Sequence, residues 1–429
     1  MVDVHLPLED KNRPLAVLFL DLNAYFASVE QAERPELRNR PIAVCPVTAD
    51  GGTVIAASYE AKEFGVKTGT KVGDAKRMCP EIVIVDGRHT LYTYYHDLVK
   101  AAVETVLPIK DVRSIDEMSF RLIGKEREPD EAHKIALRIK EAIRDLVSPW
   151  LTCSIGIAPN EFLAKLGTDM QKPDGLVVIR AEDLPEKIQA LPVRAFCGIN
   201  KKMAARLGAA GMFSSDDMLK ASKEELRCAF GSVVGERWWY ELRGYKLEPR
   251  ATHRRSLGHS HVMPPAMRTD EGARSVLIRL IQKATARLRD EDLWASEIHF
   301  SVSAREQGWK VWTKVDPLQD TVSVVEEFQR LWQVRSFVGL PTAVSVTFAG
   351  LRPTEQVTPS LFSEKAGRTK ASHAVDKVNQ KHGKNRILLA SNVKGKDTAP
   401  ERIAFGKTTL MKEGKGDNEW PGPGTGPDR

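Results

Sequence analysis

The sequence predicts a mixed α/β chain in which two α/β units are separated by a helical segment, and three observations predict it. Over residues 15–170, short apolar runs of strand length alternate with stretches of helical spacing. Residues 191–247 change to an Ala-rich helical pattern without strand signals. After the polar, basic, Pro-containing linker KLEPRATHRRS (246–256), the alternation resumes for about 100 residues. A length of 429 residues fits two to four folded units at roughly 100–200 residues each.

Each element has its own signal. LAVLFLDL (15–22) is a short apolar run ending in an acid, as expected of a buried central strand. TVIAAS (53–58) and EIVIVD (81–86) read as further strands, with a short helix and glycine exit in YEAKEFGVKTG between them. Leu91, Tyr94, Tyr95, Leu98, Ala101 and Ala102 share one helical face, and Pro108 ends that helix. VRSIDEMSFRLI (112–123) reads as a strand, 130–147 as a long helix, WLTCSIGIAP (150–159) as a strand and 160–170 as a helix. In the last α/β unit, helices are expected near 270–290 and 321–333, and strands near 295–303, 309–315 and 343–350. The final 67 residues carry one amphipathic stretch, SHAVDKVNQKH, and end in WPGPGTGPDR, so partial order at most is expected there.

Composition excludes several classes. With 42% hydrophobic residues the bulk of the chain can bury real cores. No apolar run approaches the roughly 20 residues of a membrane span, and MVDVHLPLEDKNRP lacks a signal-peptide layout. The five cysteines are scattered without CxxC spacing, which argues against a disulfide framework or a structural zinc site. A soluble, reduced, cytoplasmic chain without membrane contact is expected, acting as a monomer. Of the net charge of +7, residues 363–429 supply +6, from 14 Lys and Arg against 8 Asp and Glu. Such a tail suits a polyanionic partner, although charge alone favours a solvated, flexible terminus.

Two acidic positions carry the chemistry: Asp21 at the end of the first strand, and the adjacent pair Asp116 and Glu117 in RSIDEMSF. Carboxylates set in apolar strands bear a desolvation cost that a cation would offset. On adjacent strands, three of them could bind two Mg²⁺ ions about 3.5–4 Å apart, an arrangement for phosphoryl transfer. Spacing alone leaves open a cap or turn role for Asp21 and a solvent-facing role for one acid of the pair. In LPVRAFCGINKKMAARLGAAGM, the turn GIN before an Ala-rich helix resembles a helix-hairpin-helix, whose backbone N–H groups hold a DNA phosphate. Gly198, Asn200 and Lys201 would form that contact. Asn200 replaces a second Gly of the motif, and Asn tolerates the left-handed conformation such a Gly would adopt.

DLNAYFASVE, SYEAKEFGVKTG, SIDE and SIGIAPNEFLAKLGTDMQKPDGL occur in this order. Together they resemble the DinB/UmuC-type Y-family DNA polymerases, which copy past damaged template bases. FGSVVGERWWYELRG resembles the thumb of that family, and RSLGHSHV the start of its little finger. The resemblance spans roughly residues 14–353. It implies a right-handed polymerase with palm (12–24 and 86–172), fingers (25–85), a helix-hairpin-helix thumb (173–245), the linker, a DNA-binding little finger (257–353) and a basic, partly disordered tail (354–429). It also implies primer-template DNA and deoxynucleoside triphosphates as substrates, two Mg²⁺ ions as cofactors, and no proofreading. Asp21 and Asp116 would share both ions, the Leu22 carbonyl would complete the nucleotide-side ion, and Glu117 would hold the primer-side ion. Phe26 stands where the family has a steric gate beneath the sugar, with Tyr25 beside it. Tyr59, Lys62 and Lys165 match triphosphate-binding positions, and Arg254 and Arg255 of the linker would face DNA phosphates.

The chain departs from the family pattern at Lys62, usually Arg, and at Thr93, usually another Arg near the triphosphate, which points to a less basic pocket. Glu161 replaces a usual Lys, Asn23 a frequent Asp, Met118 a frequent Ala and His96 a frequent Ser. Ala56, Ala57 and Ser58 lie where the fingers roof the nascent pair, and small residues there fit either room for lesions or ordinary strand packing. QVTPSLF (356–362) resembles a sliding-clamp peptide, with Leu361 and Phe362 as its apolar anchors, although Gln356 lies further upstream than usual. A non-catalytic accessory protein of the same fold that binds DNA or clamp, and a nucleotidyl cyclase, are the rival readings.

Overall fold

A computed structural model describes residues 13–248, 254–304, 306–335, 339–358, 363–383, 385–395 and 398–399. It divides into two units, one before and one after residue 250.

The first unit begins with β1 (Val17–Leu22), buried throughout. Alternate side chains of a strand point to opposite faces, and here both faces are covered. Leu18, Leu20 and Leu22 enter one core, Val17 and Phe19 a second. Asp21 therefore leaves the strand on the Val17/Phe19 side. Helix α1 (Tyr25–Glu33) follows, placing Tyr25, Ala27 and Val29 in the first core. Next, β2 (Ile42–Cys45), β3 (Ala56–Ala57), α2 (Tyr59–Glu63), α3 (Val72–Met78) and β4 (Val83–Asp86) build a three-stranded sheet in the order β3-β2-β4 around a small core of its own. The strand expected over 53–58 contracts to two residues. Strand β2, four residues between Pro41 and Pro46, is too short to show a period in the sequence.

The main sheet is completed by α4 (His89–Glu104), β5 (Ile109–Val112), β6 (Glu117–Arg121), α5 (Pro129–Leu146), β7 (Cys153–Ala158), α6 (Glu161–Met170) and β8 (Leu176–Val178), with strand order β5-β6-β1-β7-β8. Helices α4 and α5 pack on the Leu18/Leu20 face and α6 on the other. Close packing of α6 depends on Gly156, since a Cβ there would meet the Ala164 carbonyl oxygen at 1.9 Å. The single strand expected over 112–123 is a hairpin instead. The N–H groups of Arg113 and Ser114 both donate to the Glu117 carbonyl and close its turn. Asp116 thus lies in the turn and Glu117 on the strand.

Helices α7 (Lys201–Ala209), α8 (Ser215–Lys220), α9 (Lys223–Phe230) and α10 (Val234–Leu242) share the second core with β1 and α6. Trp238 anchors them, with ring centroids 4.7 Å from Phe162 on α6 and 5.1 Å from Phe230.

The second unit contains β9 (Ser256–Val262), α11 (Asp270–Asp290), β10 (Leu293–Ala304), β11 (Trp309–Leu318), α12 (Thr321–Gln333) and β12 (Pro341–Ala349). They form an antiparallel sheet, β11-β10-β12-β9, with α11 and α12 packed on one face. A two-residue strand, β13 (Arg352–Pro353), pairs with the start of β10. The amphipathic stretch expected in the tail falls within a helix. Helix α13 (Ser363–His382) lies along α11 and α12, joined by polar anchors rather than an apolar stripe. The Gly/Pro-rich end falls outside the described residues.

Candidate active site

The antiparallel register of β1 and β6 sets Asp21 directly opposite Glu117, and residues opposite each other on such a pair share a face. Asp116 is tied to the same strand end, because its carbonyl accepts the Leu22 N–H at 2.8 Å. Helix α6 crosses this face and brings Lys165 to it. The Lys165 ammonium contacts Asp21 and lies 2.8 Å from Glu117 Oε1. Just beyond α6, Lys172 lies 2.8 Å from Asp21 Oδ1 and 2.8 Å from Asp169 Oδ1. Four carboxylates and two ammonium groups thus converge where the sheet meets α6.

The electrostatics follow from that convergence. Burial disfavours the charged form of Lys165, but Asp21, Asp169 and Glu117 outweigh it and raise its pKa well above the usual lysine value. Lys172 is raised in the same way, burial being overcome by Asp21 and then Asp169. Asp116 has no such cation. Its carboxyl is pushed up to about 6, first by desolvation and, against the hydrogen bond with Ser114, by the charges of Asp21 and Glu117. Among the described residues no three acid, His or Cys side chains close into a ligand cage; Lys165 sits between Asp21 and Glu117 instead. The donor set is nonetheless one of hard oxygens with acids in excess, which suits Mg²⁺ rather than a thiolate- or imidazole-seeking metal.

Residues around the site hold its frame. His96 is buried and its Nδ1 lies 2.7 Å from the Ile115 carbonyl, fastening α4 to the turn before the acids. Asn23 donates to Ser154 Oγ at 3.0 Å and accepts the Asp174 N–H at 2.8 Å. Met118 is a core residue. Glu161 pairs with Lys110 at 3.1 Å and Arg113 at 2.8 Å, so its changed charge is matched by two cations. Asn160 caps α6 through the Leu163 N–H and donates to the carbonyls of Glu241 and Tyr245, joining α6 to the helical segment.

At the positions expected to face a nucleotide, Phe26 is half-buried and stacks on Tyr92 with centroids 4.3 Å apart at 17°. Tyr92 is locked in turn: its hydroxyl donates to buried Glu30 at 2.7 Å, and Glu30 accepts two bonds from Arg88, at 3.0 and 2.6 Å. Tyr25 is a core residue, with its hydroxyl on the Tyr92 carbonyl. The Lys62 ammonium lies 3.8 Å from the Tyr59 ring centroid. Burial lowers the Lys62 pKa, Lys172 lowers it further and Asp21 opposes both, which couples α2 to the acid cluster. Thr93 is buried, its hydroxyl donating to the His89 carbonyl. Ala56 and Ala57 are buried too, while Ser58 caps α2 and binds the backbone at Arg40 and Ile42, so strand packing accounts for all three.

At the expected DNA contacts, Gly198 holds φ +98°. Asn200 is not left-handed. It sits at φ −80°, ψ 175° and caps α7 by accepting the Met203 N–H at 2.9 Å. The turn survives because the left-handed position is Gly198 and the position at 200 needs a cap. Lys201 is the exposed first residue of α7. In the second unit, Arg255 is exposed and Arg254 pairs with Glu291. Leu361 and Phe362 lie outside the described residues. Sequence reasoning missed Lys172, Asp169 and the Glu30–Arg88–Tyr92 support. The quoted run GTDMQKPDGL contained Asp169 and Lys172, four and seven residues after Lys165.

Residues 20–169 match the impB/mucB/samB family, and residues 254–361 match the C-terminal domain of that family. A DNA polymerase IV from Moorella thermoacetica is 32% identical over 392 residues, covering 89% of this chain and 96% of the relative. The DNA polymerase IV of Acetivibrio thermocellus is 30% identical over 384 residues, covering 86% and 94%. Among solved structures, a Y-family DNA polymerase chimera built on Dbh superposes with TM-score 0.65 at 23% identity, covering 79% of this chain and 99% of that chain, and so shares its fold. With two ordered domain matches and relatives aligned over nearly their full length, this chain belongs to the impB/mucB/samB family, the DinB/UmuC-type Y family of DNA polymerases.

Proposed function

We propose that this DNA-directed DNA polymerase inserts deoxynucleotides opposite damaged template bases, by two-metal-ion phosphoryl transfer and without proofreading. The observation that carries this reading is the gathering of Asp21, Asp116 and Glu117 at one sheet end, with Lys165 and Lys172 against them. Asp21, Asp116, Glu117 and the Leu22 carbonyl would hold two Mg²⁺ ions. When bound, these ions neutralise the triphosphate and acidify the primer 3′-hydroxyl.

The chain's own residues supply position and charge. Lys172, Lys165 and Lys62 offer three ammonium groups to a triphosphate, and Tyr59 packs under Lys62. Lysine lacks the bidentate fork of arginine, so each contact acts as a point charge. The Phe26 ring, held from behind by Tyr92, would exclude a 2′-hydroxyl and select deoxynucleotides. Gly198, Asn200 and Lys201 would hold a DNA phosphate at the start of α7. A sliding clamp is the partner expected for the peptide ending in Leu361 and Phe362.

Primer extension on undamaged and abasic templates with Mg²⁺ tests the reading, beside an Asp116→Ala/Glu117→Ala control. Extension on both templates that the control lacks is the expected result. DNA binding without extension would replace it with the accessory reading.

A further inference from the structure

We propose that α13 carries a second, separate phosphate-binding surface for duplex DNA, beyond the part of the chain that the family's C-terminal domain covers. The match to that domain ends at residue 361, whereas α13 spans Ser363–His382. The inference rests on the polymerase reading only for the identity of the polyanion.

The helix is held in one orientation by polar anchors. Arg289, buried on α11, donates to both carboxylate oxygens of Asp376, at 2.5 and 3.0 Å, and to the Gln319 carbonyl. Arg368 pairs with Glu326 of α12 at 2.6 Å, and Ser372 is buried between them. Beyond the helix, Asn385 accepts from Arg279 and the Ala399 carbonyl from Lys283. Buried ion pairs of this kind add little net stability over apolar packing, but they specify orientation.

That orientation has a consequence for the opposite face. Lys370, Ala374, Lys377 and Lys381 recur at i, i+4, i+7 and i+11, and all four are exposed. They form one stripe about 16 Å long. Among the described residues none of its lysines has an ion pair, while Asp376 on α13 and Glu326 on α12 are engaged by arginines. Like charges at i, i+4 destabilise a helix, so Lys377 and Lys381 carry a local cost that a bound polyanion would relieve. The stripe lies in the segment that supplies +6 of the chain's net +7. A DNA phosphate backbone fits such a row of unpaired point charges, since recognition there needs charge and spacing rather than a shaped pocket.

The test compares the full chain with K370Q/K377Q/K381Q and with the charge-conserving triple Lys→Arg variant. Affinity for a primer-template duplex is measured from about 50 to 300 mM KCl, with circular dichroism as a folding control. Each phosphate contact contributes about 0.9 to the log–log salt slope. The glutamine variant is expected to lose about 2–3 from that slope and to bind roughly ten-fold more weakly, with the arginine variant restoring both. Extension at saturating DNA should match wild type. An unchanged slope, as expected if the stripe serves an acidic protein instead, overturns the proposal. Wild type that binds DNA but extends no primer would count against the polymerase reading alone and leave the slope comparison valid.

Discussion

Two regions of this chain bury charge, and they do it differently. Between α11 and α13, one arginine meets one aspartate through two hydrogen bonds, and the charge is closed. At the end of β1 and β6, among the described residues, the four carboxylates of Asp21, Asp116, Glu117 and Asp169 share two ion-paired ammonium groups, Lys165 and Lys172, so acids stay in excess. A matched pair fixes a position. In the unmatched cluster, burial first and then the charges of Asp21 and Glu117 push the Asp116 carboxyl up to about 6, and the excess of acids creates demand for further cations.

The largest effects are expected on removing acids from the β1/β6 cluster and the arginine from the α11/α13 pair. Asp116→Ala/Glu117→Ala should reduce primer extension by at least about 10³-fold, while leaving thermal stability near wild type or higher, because repulsion is relieved. Arg289→Ala should do the reverse. It leaves Asp376 uncompensated and should cost the second unit about 3–5 kcal/mol in urea unfolding, whereas an Arg289→Met/Asp376→Leu double variant should be close to neutral. A stable Arg289→Ala protein would show that the pair is not structural.

Smaller effects refine the active-site half. Phe26→Ala should lower discrimination against ribonucleotides by about 10–200-fold in competing single-nucleotide incorporations. Tyr92→Phe, which keeps the stack but frees the ring from Glu30, should give a fraction of that. Lys172→Ala should raise the nucleotide KM about ten-fold or more, consistent with loss of a charged contact worth about 1.5–3 kcal/mol, and Lys62→Ala should raise it less.

The pH dependence has a definite sign. Asp116 binds its proton more tightly folded than unfolded, moving from 3.8 to about 6. Its contribution is therefore present at low pH and is lost as pH rises from about 4 to 6, by at most about 3 kcal/mol in chelated protein. Urea midpoints across that window should show the slope in wild type and a flatter one in Asp116→Asn. Metal affinity should rise over the same range as the proton leaves.

Much of this was legible in the residues. Asp21 announces itself because an apolar strand ends on an acid, and the Asp116–Glu117 pair because two acids interrupt an apolar run. The hairpin around Asp116 was hidden by that same run, since hydrophobic alternation is continuous across its turn and only the backbone bonds to Glu117 reveal the break. Lys172 lies beyond α6, beside Pro173, and only the fold brings it onto Asp21. Asn200 was assigned a left-handed role from motif analogy, whereas its side chain serves as a cap. The tail helix was legible only in its second half, the amphipathic stretch SHAVDKVNQKH, because its docking runs through Asp376 and Arg368 and its first half shows no hydrophobic period.

If the unmatched acids form a divalent-cation site, that site should be detectable without catalysis. Its most direct test is a Mn²⁺ titration of the full chain followed by electron paramagnetic resonance, with wild type beside Asp116→Ala/Glu117→Ala and Asp376→Ala. Wild type and Asp376→Ala are expected to bind the ion alike, more tightly when a deoxynucleoside triphosphate is present, and the double variant is expected to lose the site. Equal binding by all three proteins would contradict it.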